Sequence, residues 1–389
     1  MNSLRDIVES SPQLRGLATN VMHTMRGEEL AQPLAPPLWD WQGIRKVLLV
    51  RLRSIGDTVL ATPSLFALKR FLPHAEVDIL LEDWVAPVLT QLDCVNDVIT
   101  LERASVVSRA RVARQIRSRG YDLVYNLHGG TTATLLTRAT GAPHRVGYAS
   151  YQYAGLHNHL SPSPLLLWGQ QKTHSVEQQL SLLGWTGVPV TDRPPTRLGV
   201  TPQAEAEISH RLSAAGLEGR KFAVVHPAAA FATKQWATDK FARVVEFLAE
   251  RGYSTVSVAA PHESAVLSEL ASVASVRVVC FDLSLPQVTA LLARAQLFVG
   301  NDSGIAHIAA AVATPSVVIF GSSNQAHWRP WATAPAEVVF EEMPCQPCHG
   351  YFCEKFEQPE CILRVPVTRV TAAIDRVLNI VDRGLPRAD

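Results

Sequence analysis

A two-beat rhythm constrains this chain most: short apolar runs, each ending in a turn of small or polar residues that opens a helical stretch. The first cycle runs from KVLLVRL (46–52) through SIGD (54–57) and the helical TVLATPSLFALKRFL (58–72) to VDILL (77–81). Strands joined by a helix pair in parallel, so this order predicts a doubly wound α/β sheet. Further strands are expected at DVITL (97–101), LVYNL (123–127) and HRVGY (144–148). The rhythm restarts at FAVVHP (222–227) and continues through STVSVAA (254–260), VRVVCF (276–281), LFVGN (297–301) and SVVIFG (316–321). KFARVVEFLAERG (240–252) and LPQVTALLARA (285–295) supply helices between them. At 389 residues the chain exceeds what one core usually supports. The expectation is therefore an N-terminal extension (1–42), a first domain (43–190), a second domain (204–366) and a C-terminal helix (367–389). A Pro-, Gly- and Thr-rich connection over 185–203 separates the two domains.

Charge balance and hydropathy narrow the function classes. Lys plus Arg number 36 against 35 Asp plus Glu, so no concentrated basic face points to nucleic acid. No run reaches the roughly 18 apolar residues of a membrane span, and the polar start MNSLRDIVESSPQLR lacks a signal-peptide core. A cytoplasmic protein is expected, peripheral at most to the inner face of the membrane. The extension carries apolar Leu4, Ile7, Val8, Leu14, Leu17, Val21 and Met22 at helical spacing with mixed charges, then QPLAPPLW. That pattern suits a surface helix or a homo-oligomer contact.

Three segments carry chemistry. In RLRSIGDTVLATPSL (51–65), Ser54, Ile55, Gly56 and Asp57 lie between a strand end and a helix start. In an open parallel sheet that position faces the ligand crevice, although Asp57 there also suits an N-cap. In HPAAAFATKQWATDKF (226–241), Lys234 sits in a loop ahead of a helix, where a lysine can reach a diphosphate or simply be solvated. In VGNDSGIAHIAAAVATPSVVIFGSS (299–323), Asn301, Asp302, Ser303 and Gly304 close a strand before a helix that carries Ile305 and His307. Free backbone N–H groups and the helix dipole make such a start an anion site. A buried His307 satisfied by a carbonyl is the alternative.

These segments in this order, with Glu263 in AAPHE between the second and third, resemble glycosyltransferase family 9, the bacterial ADP-heptose heptosyltransferases. The carrying patterns are S-x-G-D after the first strand, P-x-A-x-x-x-x-K-x-W, and N-D-S-G-x-x-H. The resemblance covers residues 46 to about 380 and implies a GT-B fold, two Rossmann-like domains facing a central cleft. It implies inverting transfer of a sugar, heptose from ADP-heptose, to a hydroxyl of lipopolysaccharide core, another glycan, a lipid-linked acceptor or a protein. No catalytic metal is implied. Asp57 would be the general base, and Lys234 would bind donor phosphate. Glu263 would meet the nucleoside and Leu283 the adenine. Asp302, Ser303, Gly304, Ile305 and His307 would hold phosphates and sugar. Ser54, Gly56, Asn126 and His128 would line the acceptor side of the cleft. A sugar-nucleotide epimerase or hydrolase, or a non-catalytic nucleotide-sugar binder, could use the same scaffold.

Cys345, Cys348, Cys353 and Cys361 form C-x2-C-x4-C-x7-C. In a reducing compartment, four thiolates this close suit a structural zinc or iron ion or else four reduced thiols. A closed site of that kind would serve folding and acceptor docking and leave nucleotide affinity nearly intact.

Overall fold

The computed structural model describes residues 30–348 and 350–383. The amphipathic stretch 4–22 lies outside the described residues. The first half holds β1 (Lys46–Val50), β2 (Glu76–Glu82), β3 (Asp97–Leu101), β4 (Leu123–Asn126), β5 (His144–Tyr148) and β6 (His159–Ser161) in the order β3-β2-β1-β4-β5-β6. The second holds β7 (Phe222–His226), β8 (Ser254–Val258), β9 (Val278–Cys280), β10 (Leu297–Asn301), β11 (Ser316–Phe320) and β12 (Ala336–Phe340), ordered β12-β11-β10-β7-β8-β9. Every pairing is parallel.

Helices cover both faces of each sheet. Those of the first half are α1 (Ile55–Val59), α2 (Thr62–Phe71), α3 (Val106–Ser118), α4 (Gly130–Ala139), α5 (Pro164–Trp168) and α6 (Ser175–Trp185). Then come α7 (Pro202–Ala214), α8 (Thr238–Glu250), α9 (Ser264–Val273), α10 (Leu285–Arg294), α11 (Gly304–Ala311), α12 (Gln325–Trp328), α13 (Glu360–Leu363) and α14 (Val367–Asp382). Because the central strands are covered twice, β7, β10 and β11 are buried at every residue, which is why they read as unbroken apolar runs.

The single helix expected over 58–72 is instead two. Pro63 cannot donate a backbone bond to the preceding turn, so it takes the second position of α2, and the chain breaks at Leu60 and Ala61. Strands β6 and β12 were not expected. Both are edges: β6 is three residues long, and β12 is mostly half-buried, so neither shows a strong apolar signal.

Two short helices hold the halves together. Both α1 and α11 begin just after the carboxyl ends of central strands, and they pack start to start. A β-carbon on Gly56 would fall 2.6 Å from His307 Cδ2, and one on Gly304 would fall 2.8 Å from Ile55 Cβ. Glycine at both positions is what permits this approach. Elsewhere His174 Nε2 meets the Arg329 carbonyl at 2.8 Å, and Trp331 Nε1 donates to the Pro194 carbonyl at 3.0 Å.

Candidate active site

In each sheet the strand order reverses at one place, between β1 and β4 in the first and between β7 and β10 in the second. Ligands of open parallel sheets bind beyond the strand carboxyl ends at such points. Asp57 and His128 follow β1 and β4; Lys234 and Asp302 follow β7 and β10. Contact between α1 and α11 brings the two switch points face to face.

Asp57 is the third residue of α1 and closes a capping box with Ser54. Its Oδ2 accepts from the Ser54 backbone N–H and hydroxyl, each at 3.1 Å. Its other oxygen pairs with Arg51, which also donates to the Leu127 carbonyl at 2.7 Å. Asp57 is thus a cap and also a charged group at the cleft. Burial on its own would raise its pKa, but the Arg51 guanidinium and the two Ser54 bonds outweigh burial and hold the carboxyl below its ordinary value. Arg51 was not singled out in the sequence. It stands in the motif as a strand-end residue, and only the return of α1 brings it onto Asp57.

Lys234 ends a 3-10 turn, Ala232–Lys234, and its Nζ donates to Asp302 Oδ2 at 2.8 Å. Ser323 donates to the same carboxylate. Asp302 is therefore an anchor for Lys234, its carboxylate engaged by both Lys234 and Ser323. Ser303 caps α11, and its hydroxyl, like Nδ1 of the buried His307, has no hydrogen-bond partner among the described residues. Burial lowers the His307 pKa, which favours a neutral ring at pH 7. Arg51 Nε, Gln179 Oε1 and His128 Nδ1 are buried without partners in the same way. Orphaned polar atoms cost about 1–3 kcal/mol each, so a polar ligand that met these atoms would recover that cost. Glu263 is half-buried and accepts from the Ala260 N–H at 3.0 Å. Leu283 is half-buried just past β9.

On the acceptor side one expectation fails. Asn126 is fully buried. Its Oδ1 accepts from the N–H groups of His128 and Gly129 at 3.2 and 2.9 Å, and its Nδ2 donates to Thr134 Oγ1 at 3.3 Å. It shapes the turn before α4 and does not line the cleft. His128 lines a cavity of about 280 Å³ with Arg53, Arg103, Arg109, Glu82 and the start of α4. Burial, then the charge of Arg51, lowers its pKa to about 4. Arg53, Arg103 and Arg109 thus bring three guanidinium groups to one cavity. These arginines were also missed, because they converge only when the loops after β1 and β3 meet α3.

Cys361 is buried and the other three thiols of the cluster are half-buried. Burial and then the charges of Cys348, Cys345 and Cys353 push Cys361 up to about 11, so all four lie within electrostatic reach of one another. Among the described residues, no three such donors are arranged as a metal site.

The family model described as "Glycosyltransferase family 9 (heptosyltransferase)" matches residues 109–357. The chain is 29% identical over 350 residues to lipopolysaccharide heptosyltransferase 3 of Escherichia coli, covering 84% of this chain and 97% of that protein. It is 30% identical to the same-named protein of Escherichia coli strain K12, covering 72% of this chain and 83% of that one. The glycosyl transferase family 9 structure from Veillonella parvula shares the fold, with a TM-score of 0.74 at 20% identity, covering 89% of this chain and 99% of that chain. With two doubly wound sheets facing each other across these switch points and a family match over well more than half its length, the chain belongs to glycosyltransferase family 9 and is a glycosyltransferase of the GT-B type.

Proposed function

We propose that the protein transfers heptose from ADP-heptose to a hydroxyl of lipopolysaccharide core with inversion, using Asp57 as general base. The observation that carries this is the opposition of Asp57 to Lys234 and the start of α11 across the α1–α11 contact. A nucleoside diphosphate already leaves readily, so the enzyme must deprotonate the acceptor and stabilise charge on the departing phosphate. Asp57 faces the first task. Arg51 and Ser54 keep it ionised and oriented. Lys234, held by Asp302, and the N–H groups of α11 face the second. Glu263 and Leu283, beyond β8 and β9, are assigned to the nucleoside. The arginine-lined cavity suits an acceptor that carries phosphate or carboxylate. The relatives' names and the resemblance to ADP-heptose enzymes support heptose and the lipopolysaccharide core. A thermal-shift series tests the donor: ADP-heptose is expected to raise the melting temperature more than UDP- or GDP-sugars. Equal or larger shifts with UDP-sugars would reject the assignment.

The four cysteines are proposed to bind one structural zinc or iron ion. Confinement of the four thiols to residues 345–361, and a Cys361 pKa raised largely by burial and then by its fellow thiols, support this, because a bound cation relieves the repulsion and takes up the thiolates, drawing together side chains that do not stand as a metal site without it. With four protein ligands such an ion has no open position, so its role is structural. Elemental analysis of protein purified without a metal-binding tag should find about one zinc or iron per chain, and Cys348→Ser should lower both metal content and melting temperature. Metal far below one per chain would exclude the site.

A further inference from the structure

The turn that carries Lys234 is tied to the cysteine loop. Thr233 is buried and its hydroxyl donates to the Gly350 carbonyl at 3.1 Å. The Thr233 hydroxyl oxygen accepts from Ser322 Oγ at 3.0 Å, and the Ser322 N–H donates to the Thr233 carbonyl at 3.2 Å. The Ser322 carbonyl in turn accepts from the Cys348 N–H at 3.0 Å. The next residue, Ser323, donates to Asp302, the partner of Lys234. A second contact runs in parallel. The ring of Tyr351 meets Phe231 edge-on at 4.3 Å between centroids, and Lys234 Nζ lies 5.4 Å from the Phe231 centroid.

A three-residue 3-10 turn has little internal hydrogen bonding to fix its geometry. A lysine side chain also carries substantial rotamer freedom, which weakens a charge that has not been positioned in advance. Here both deficits are met from outside, and the restraint comes from Cys348, Gly350 and Tyr351. The buried Thr233 and Ser322 hydroxyls bond to each other and to backbone, so neither is a ligand-facing group.

We infer that Thr233 and Ser322 are positioning residues through which the cysteine loop sets Lys234 and Asp302, so that affinity for a nucleoside diphosphate follows the integrity of that loop. This rests on the assignment of Lys234 to the donor diphosphate. It reverses the expectation that disturbing the cysteines leaves nucleotide affinity nearly intact, because the loop reaches the donor side of the cleft.

Calorimetric titration with ADP, with melting temperatures measured alongside, tests the relay. Thr233→Val should weaken ADP binding roughly three- to tenfold, and Thr233→Ser should stay within about twofold of the parent. In a Lys234→Ala background the Thr233→Val effect should disappear, because both act through one contact. If Thr233→Val does not fold, Ser322→Ala closes the same cycle. Equal weakening with and without Lys234 would overturn the relay in favour of a general structural role. A normal ADP affinity in Thr233→Val, with a weakened one in Lys234→Ala, would overturn the relay alone. Unchanged affinity in Lys234→Ala would instead overturn the donor-site assignment beneath it.

Discussion

Replacing Asp57 with alanine is expected to slow transfer by roughly a hundredfold or more while leaving ADP affinity nearly unchanged. The carboxylate stands on the half that does not carry Lys234, so its loss removes proton transfer without removing a donor contact. Parallel loss of ADP binding and rate would make Asp57 a helix cap alone. The pH profile sharpens this. Because the folded-state pKa is lowered, Asp57 stabilises the fold above its unfolded value of about 4, and that contribution is lost as pH falls through the folded value. The same group stays available as a base well below neutrality, so no acid limb from Asp57 should appear in kcat/KM at pH 5–7. Arg51→Met removes the main opposition to burial, so it should move the acid limb upward. An unmoved limb would show that Arg51 does not tune the base.

Lys234→Ala should weaken ADP binding by about 1.5–3 kcal/mol, the usual range for a lost charge-assisted contact. Its effect on melting temperature should also be visible, because Asp302 would be left buried with only the Ser323 hydroxyl on its carboxylate. Asp302→Asn separates the two effects: it keeps a hydrogen-bonding group beside Lys234 but removes the charge that holds it. Its ADP affinity should fall less than that of Lys234→Ala. Unchanged affinity in Lys234→Ala by calorimetry would reject the donor assignment.

How much of this was legible in the chain depends on the range of the interactions. The central strands could be read because parallel pairing under helices demands apolar residues on both faces, as in KVLLV and SVVIF. Edge strands β6 and β12 could not, since one side of each lacks a partner strand and the apolar demand falls. The break at Leu60 and Ala61 was readable in principle from Pro63, but the apolar spacing over 58–72 masked it. Asp57, Lys234 and the start of α11 are visible because each is a local strand-turn-helix event. The Asn126 amide was misplaced because a polar residue at a strand end looks the same whether it meets ligand or satisfies its own turn. The bonds from Thr233 to Ser322 and Gly350 span 89 and 117 residues, and no local pattern marks them.

The stereochemistry of the product tests the placement of base and diphosphate most directly. A base on one face of the cleft and the diphosphate on the other allow a single in-line displacement, in which the acceptor hydroxyl attacks opposite the leaving phosphate. Incubation with ADP-β-heptose and a lipopolysaccharide core acceptor, followed by NMR assignment of the new linkage, should give an α-linked heptose and stoichiometric ADP. A β-linked product, or ADP and free heptose released at the same rate without acceptor, would contradict it.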